Sequence, residues 1–163
     1  MRAEYLNPML LSVMETLTQI THHEPCPGKL KVKKHELAHG AVTGLVNLQI
    51  NDQVGSLALS FSRDLILNIA SEVTHTPHRH IDNTVLNLAG RLTYMACRGA
   101  QQYMSDKNVV MMLTNPQVFQ GFRKRVQHAV NNNKFMLQFE TPAGICFSEF
   151  SFSRLRDELE IRH

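Results

Sequence analysis

Two runs of alternating apolar and polar residues flank the turn-forming cluster Asn51-Asp52-Gln53-Val54-Gly55 and impose a β-hairpin on the middle of the chain. In residues 41–50, Val42, Gly44, Val46, Leu48 and Ile50 share one face, with Thr43, Asn47 and Gln49 on the other. In residues 56–62, Leu57, Leu59 and Phe61 alternate with Ser56, Ala58, Ser60 and Ser62. A hairpin with one apolar face does not stand alone in water, so the flanking segments must cover it.

Three helices are available to do so. The first is expected over about residues 7–21, with Asn7 as N-cap and Pro8 at the first helical position, where its missing N–H costs nothing. Leu6, Met9, Leu10, Val13, Leu17 and Ile20 form its apolar stripe, and residues 22–28 break it. Ser62 can cap a second helix bearing Leu65, Ile66, Ile69, Ala70 and Val73, which ends in the His-rich loop 74–80. The third and longest is predicted over about residues 82–104. Its buried stripe reads Val85, Leu88, Leu92, Ala96, Gly99 and Tyr103, with small residues that allow close approach to a sheet. Its opposite face, Asn87, Arg91, Tyr94, Arg98, Gln101 and Ser105, is polar from end to end and should meet solvent or a partner.

Three further strands are expected over 109–113, 135–140 and 145–152, with a turn at Thr141-Pro142-Ala143-Gly144. The apolar phase slips between Ile145/Phe147 and Phe150/Phe152, which predicts a bulge in the last strand. The expected architecture is α+β, a mostly antiparallel sheet flanked by long helices. It forms a single domain over 1–153, followed by a charged tail over 154–163.

Composition narrows the function classes. With 163 residues, 43% apolar and 19% charged, the chain fits one globular core and no disordered or low-complexity class. A net charge of +3 does not announce a nucleic-acid binder, and nucleic acid is not expected as a partner. No apolar run is long enough to span a bilayer, so no membrane partner is expected. Residues 1–8 lack a secretory pattern, and Cys26, Cys97 and Cys146 are odd in number and outside any CxxC pair, which points to a reducing, cytoplasmic setting. Cys97 should pack as a small apolar residue.

Several stretches in order resemble the CheX branch of the CheC-like chemotaxis phosphatases. They are Asn7-Pro8, Val42-Thr43-Gly44-Leu45-Val46, and Gly55-Ser56-Leu57-Ala58-Leu59-Ser60-Phe61-Ser62. Asp82 with Leu88-Ala89-Gly90 resembles the family's signature helix. Phe139-Glu140-Thr141-Pro142-Ala143-Gly144 and Glu149-Phe150-Ser151-Phe152 resemble its last hairpin. The resemblance implies a domain that dephosphorylates the aspartyl-phosphate of a response-regulator receiver, and strands that join into a sheet across a homodimer. It implies no cofactor of the chain's own, since the Mg²⁺ would belong to the receiver. The family's helix carries a Glu that pairs with the receiver's lysine and, three residues later, an Asn that positions the attacking water.

At those two positions this chain has Arg91 and Tyr94. Near a surface at about 4 Å, Arg91 would repel a lysine by about 4 kcal/mol, where an acid would attract it. Tyr94 lacks the planar amide. Asp82 is the only carboxylate between Ile81 and Ser105. The expectation is therefore a degenerate phosphatase with no catalytic residues of the family pair, which binds a receiver or another signalling protein through Asn87, Arg91, Tyr94, Arg98 and Gln101. Two alternatives stay open: an active phosphatase using Asn87 with Tyr94, and a polyanion-binding module using Arg91, Arg98 and Arg123. The basic run Phe122-Arg123-Lys124-Arg125, near Asn131-Asn132-Asn133, reads as a solvated loop. The histidines at 22, 23, 75, 78 and 80 match no common metal spacing, and no metal is expected.

Overall fold

The period-two hairpin becomes the middle of an eight-stranded, wholly antiparallel sheet in a computed structural model that describes residues 3–130 and 133–154. The strands are β1 (Cys26–Pro27), β2 (Lys31–Lys33), β3 (Val42–Ile50), β4 (Gln53–Phe61), β5 (Met111–Leu113), β6 (Gln117–Gln120), β7 (Lys134–Thr141) and β8 (Gly144–Arg154). They are ordered β1-β7-β8-β4-β3-β5, with β2 also on β7 and β6 also on β3. The helices are α1 (Ala3–Thr21), α2 (Arg63–Thr74) and α3 (Asn83–Asp106). The expected α+β class, with its antiparallel sheet, is what forms.

All three helices pack on one sheet face. Val42, Val46, Leu48, Ile50, Leu57, Leu59, Phe61, Phe139 and Phe150 share a core there with Met9, Val13, Leu17, Leu65, Ile66, Val85, Leu92 and Ala96. Cys97 is fully buried among them, and burial pushes its thiol pKa up. The other sheet face lies under irregular chain. Segments 34–41 and 121–130 run antiparallel across it, tied by Ala38 N–H to the Lys124 carbonyl at 2.8 Å and Val126 N–H to the Glu36 carbonyl at 2.8 Å. This strap buries a second, small apolar cluster of Ala38, Leu45, Ala58 and Val126, with Phe119 against it.

Three expectations need correction, and a fourth, the charged tail, falls almost wholly outside the described residues. Helix α1 begins before Pro8, and Asn7 is an exposed interior residue rather than its cap. A proline inside a helix costs about 3 kcal/mol. Tyr5, buried with its ring 6.4 Å from that of Phe152, offsets part of that cost by adding an aromatic contact to the start of the apolar stripe. Strand β8 carries no bulge, because it pairs residue for residue with β4 from Gln53↔Arg154 to Phe61↔Cys146. The apolar phase slips because both faces of β8 are covered, and Phe147 stacks on His39 under the strap with centroids 5.1 Å apart. The hairpin turn is tighter than expected: Asn51 and Asp52 alone close it, Asn51 with φ 53°, while Gln53-Val54-Gly55 already belong to β4. Finally, Arg154 is the last residue of β8, and the remainder of the expected tail lies outside the described residues.

Candidate functional site

Helix α3 carries the candidate site, and two close approaches fix its place. Asp82 caps it, its carboxylate accepting from Val85 N–H at 3.0 Å. At Gly44 of β3 the helix backbone lies against the strand: a Cβ there would stand 2.1 Å from Thr93 Oγ1 and 2.8 Å from the Ala89 carbonyl oxygen. At Gly90 a Cβ would meet Val118 Cγ2 of β6 at 2.9 Å. Helix α1 crosses further along, where Ser12 Oγ donates to the Ala96 carbonyl at 2.6 Å and Gly99 makes room for Ser12. The predicted stripe is thus right at Val85, Leu92 and Ala96. Leu88, Gly99 and Tyr103 are only half-buried, and Ala89, Thr93, Cys97, Ala100 and Met104 complete the buried face.

The outer face holds all five expected partner-binding residues, in different settings. Asn87, Arg91 and Arg98 are exposed, and Tyr94 is half-buried against the edge of the core. Gln101 is half-buried and committed: its side-chain amide donates to the Met111 carbonyl of β5 at 2.7 Å. The face is also less uniformly polar than its residues at helical spacing imply, because Met95 is 40% exposed on the same helix.

The chemistry that the resemblance implies calls for an acid at position 91, where this chain has an exposed arginine. Among the described residues no carboxylate forms an ion pair with Arg91 or Arg98. Glu15 of α1 accepts from Tyr103 Oη at 2.5 Å, which holds the phenol above its usual pKa. Tyr103 lies twelve residues beyond Arg91, or about 18 Å along the helix. Asn87 and Tyr94 are two turns apart, about 10 Å along the axis. Arg123 belongs to the strap over the other sheet face, so the expected trio of Arg91, Arg98 and Arg123 does not assemble.

A second constellation escaped the sequence reading. Under the strap, Ser56 Oγ and His128 Nδ1 are 2.6 Å apart, and His128 Nε2 lies 3.2 Å from Glu149 Oε2. Lys33 Nζ pairs with Glu149 Oε1, and Ser151 Oγ is 3.1 Å from Ser56 Oγ. Serine, histidine and glutamate in a row have the order of a hydrolytic relay. Yet Ser56 is wholly inaccessible, and His128, Glu149 and Lys33 are at most 5% exposed, so no substrate reaches them. Burial alone would raise the Glu149 pKa. The His128 hydrogen bond and the Lys33 charge outweigh it and hold the carboxyl below its ordinary range. This cluster fastens the strap. The only sequence sign of it was a charged residue in the apolar run of β8, and Lys33 in a lysine-rich stretch gave none.

The remaining histidines are spread out. His78 N–H donates to Ser71 Oγ at 2.9 Å, and its ring nitrogen Nε2 is 3.0 Å from Thr74 Oγ1, closing the turn after α2. Among the described residues no three His, Cys, Asp or Glu side chains converge on a point that would hold a metal. No helix among them is long and apolar enough to cross a membrane.

With this geometry in place, the likeness to known proteins is informative. Residues 42–140, from the start of β3 into β7, match the family described as chemotaxis phosphatase CheX. A CheC-like superfamily protein from Shewanella sp. PV-4 is 31% identical, with a TM-score of 0.84 over 94% of this chain and 99% of that one. A chemotactic CheC-like protein from Shewanella oneidensis MR-1 is 28% identical, with a TM-score of 0.83 over 94% of this chain and 100% of that one. The chain in a CheX–CheY–BeF3–Mg²⁺ complex from Borrelia burgdorferi shares the fold at 18% identity, with a TM-score of 0.73 over 94% of this chain and 100% of that one. No curated protein matches the chain in sequence. On the matched strands and helix and on the 31% identity along nearly the whole chain, the protein belongs to the chemotaxis phosphatase CheX family.

Proposed function

We propose that this domain binds a CheY-type receiver through the outer face of α3 and has lost the family's hydrolytic step. The observation that carries the reading is the pair Arg91 and Tyr94 on that face, with no carboxylate in ion-pairing reach of Arg91 among the described residues. An arginine opposite a receiver lysine repels it, and a phenol does not orient water as an amide does. Asn87, Arg91 and Arg98 remain accessible as docking residues, with Tyr94 as a half-buried anchor. The CheX–CheY complex from Borrelia burgdorferi supports a receiver as the partner class. Any Mg²⁺ in such a complex belongs to the receiver.

A homodimer in the cytoplasm completes the proposal. The homodimer is supported by the position of β5 at an edge of the sheet, where Val110 is 71% and Met112 63% exposed.

The test is the decay of a phosphorylated CheY-type receiver, alone, with the natural chain, and with the double variant Arg91→Glu/Tyr94→Asn. The natural chain is expected to leave the decay unchanged while binding the receiver, and the double variant to speed it. Acceleration by the natural chain would overturn the loss of hydrolysis. Absence of binding to the phosphorylated receiver would overturn the partner.

A further inference from the structure

The strap, together with β2 and the residues leading into it, concentrates the chain's positive charge. Segments 29–39 and 121–130 hold seven of the 17 lysines and arginines and one of the 14 acids, so they carry +6 while the rest of the chain carries −3. Within them, Lys33 is buried on Glu149, and the single acid, Glu36, pairs with Arg125 at 2.8 Å. Lys29, Lys31, Lys34, Arg123 and Lys124 are exposed and, among the described residues, without a carboxylate partner. Lys29 and Lys31 border a hollow of about 190 Å³ with Met136 and Gln138, on the same sheet face that the strap covers. His39, in the strap, is held below its ordinary pKa by burial first and then by the Lys33, His35 and Arg123 charges, against an opposing pull from Glu149.

At the tip of this basic strap stands Phe122, 68% exposed. It is held out by backbone bonding on both sides. Gly121 N–H donates to the Ala41 carbonyl at 2.8 Å, Arg123 N–H to the Ala38 carbonyl at 2.9 Å, and Lys124 N–H to the Gly121 carbonyl at 3.3 Å. Gly121 at φ 125° and Arg123 at φ 60° make the turn. An exposed aromatic side chain beside Arg123 and Lys124, at the end of a basic strap, fits an interface that is anionic outside and apolar just beneath. A nucleic-acid groove would match the charge but would ask for several stacking rings, and Phe122 is the only aromatic residue in the two segments.

We propose that the strap docks this domain on an anionic lipid surface, with Phe122 entering the headgroup boundary and Arg123, Lys124 and neighbouring lysines against the lipid phosphates. This departs from the expectation of no membrane partner, which rested on the lack of a spanning helix. Peripheral docking needs only a surface, and the fold builds that surface from two segments about ninety residues apart in sequence.

The experiment is co-sedimentation of the full chain with phosphatidylcholine vesicles, with and without phosphatidylglycerol. Binding is expected to vesicles containing phosphatidylglycerol and to weaken as salt rises. Phe122→Ser should lower partitioning about tenfold. Arg123→Asn/Lys124→Gln, where Asn tolerates the left-handed backbone, should lower it about twenty-fivefold, at about fivefold per cation. The control Arg79→Gln/Lys107→Gln removes the same charge elsewhere and should leave it within about twofold, well inside the effect of one strap cation. Circular dichroism of each variant must match that of the natural chain. Equal loss in the control and the strap variant would overturn the site. Retention of a single-stranded oligonucleotide with no vesicle binding would overturn the partner class. Dissociation of a dimer by Phe122→Ser with no change in vesicle binding would assign the tip to a second copy instead.

Discussion

Gly44 and Thr93 are so close that a single methyl on the strand would overlap the helix hydroxyl, at 2.1 Å. Thr93 Oγ1 donates to the Ala89 carbonyl at 2.8 Å, so the oxygen is tied down rather than free to swing away. Gly44→Ala must therefore push α3 off the sheet, and a loss of about 3 kcal/mol in urea unfolding is expected. Thr93→Ala added to it should recover only part, since the Ala89 carbonyl oxygen still stands 2.8 Å from the new methyl.

The ion pair under the strap should behave as buried pairs do. Glu149→Ala leaves Lys33 charged and dry and should cost about 3–5 kcal/mol. Lys33→Met combined with Glu149→Leu removes both charges, and most of that loss is expected to return. Urea midpoints of the three variants decide this. A double variant as unstable as the single one would contradict it.

Stability should fall at low pH through the same group. The Glu149 carboxyl titrates below its ordinary 4.5 in the fold. A depressed carboxyl contributes stability above its unfolded pKa and loses that contribution as pH drops through the folded value. The natural chain should therefore lose stability below about pH 4.5, the unfolded value. Glu149→Gln should be less stable near neutrality and flatter across that acid window. Unfolding free energies measured at several pH values give both slopes.

Gln101 ties α3 to the sheet edge through one bond to the Met111 carbonyl. Gln101→Ala should cost about 1 kcal/mol globally. Its larger effect is expected in hydrogen exchange, which should quicken at amides of the short β5–β3 pairing, from Ile50↔Met111 to Leu48↔Leu113.

Much of this architecture was written in local patterns. The period-two runs of β3 and β4, the Ser62 cap of α2 and the Asp82 cap of α3 all form, because each depends on residues close in sequence. The position of the outer face of α3 followed from helical spacing alone. The strap did not. Lys31–Lys33 and Gln117–Gln120 are too short and too polar to show a strand period, and their pairing with β7 and β3 is decided by tertiary contact. Lys33 and His128 carried no local sign of burial, because the partner that makes it tolerable, Glu149, lies 116 and 21 residues away. The phase slip in β8 was a true signal with the wrong cause: a strand buried on both sides looks, to a one-sided rule, like a strand with a defect.

The two glycine contacts of α3 bear on how a grafted site would behave. Arg91 directly follows Gly90, which rests on Val118, and Tyr94 directly follows Thr93, which rests on Gly44. The backbone beneath both positions is set by these two close approaches. New side chains there would inherit their aim from the scaffold, whatever their charge. A Glu and an Asn installed at 91 and 94 that stayed silent toward a bound receiver would therefore say something about the receiver's approach, with little room to blame a displaced helix.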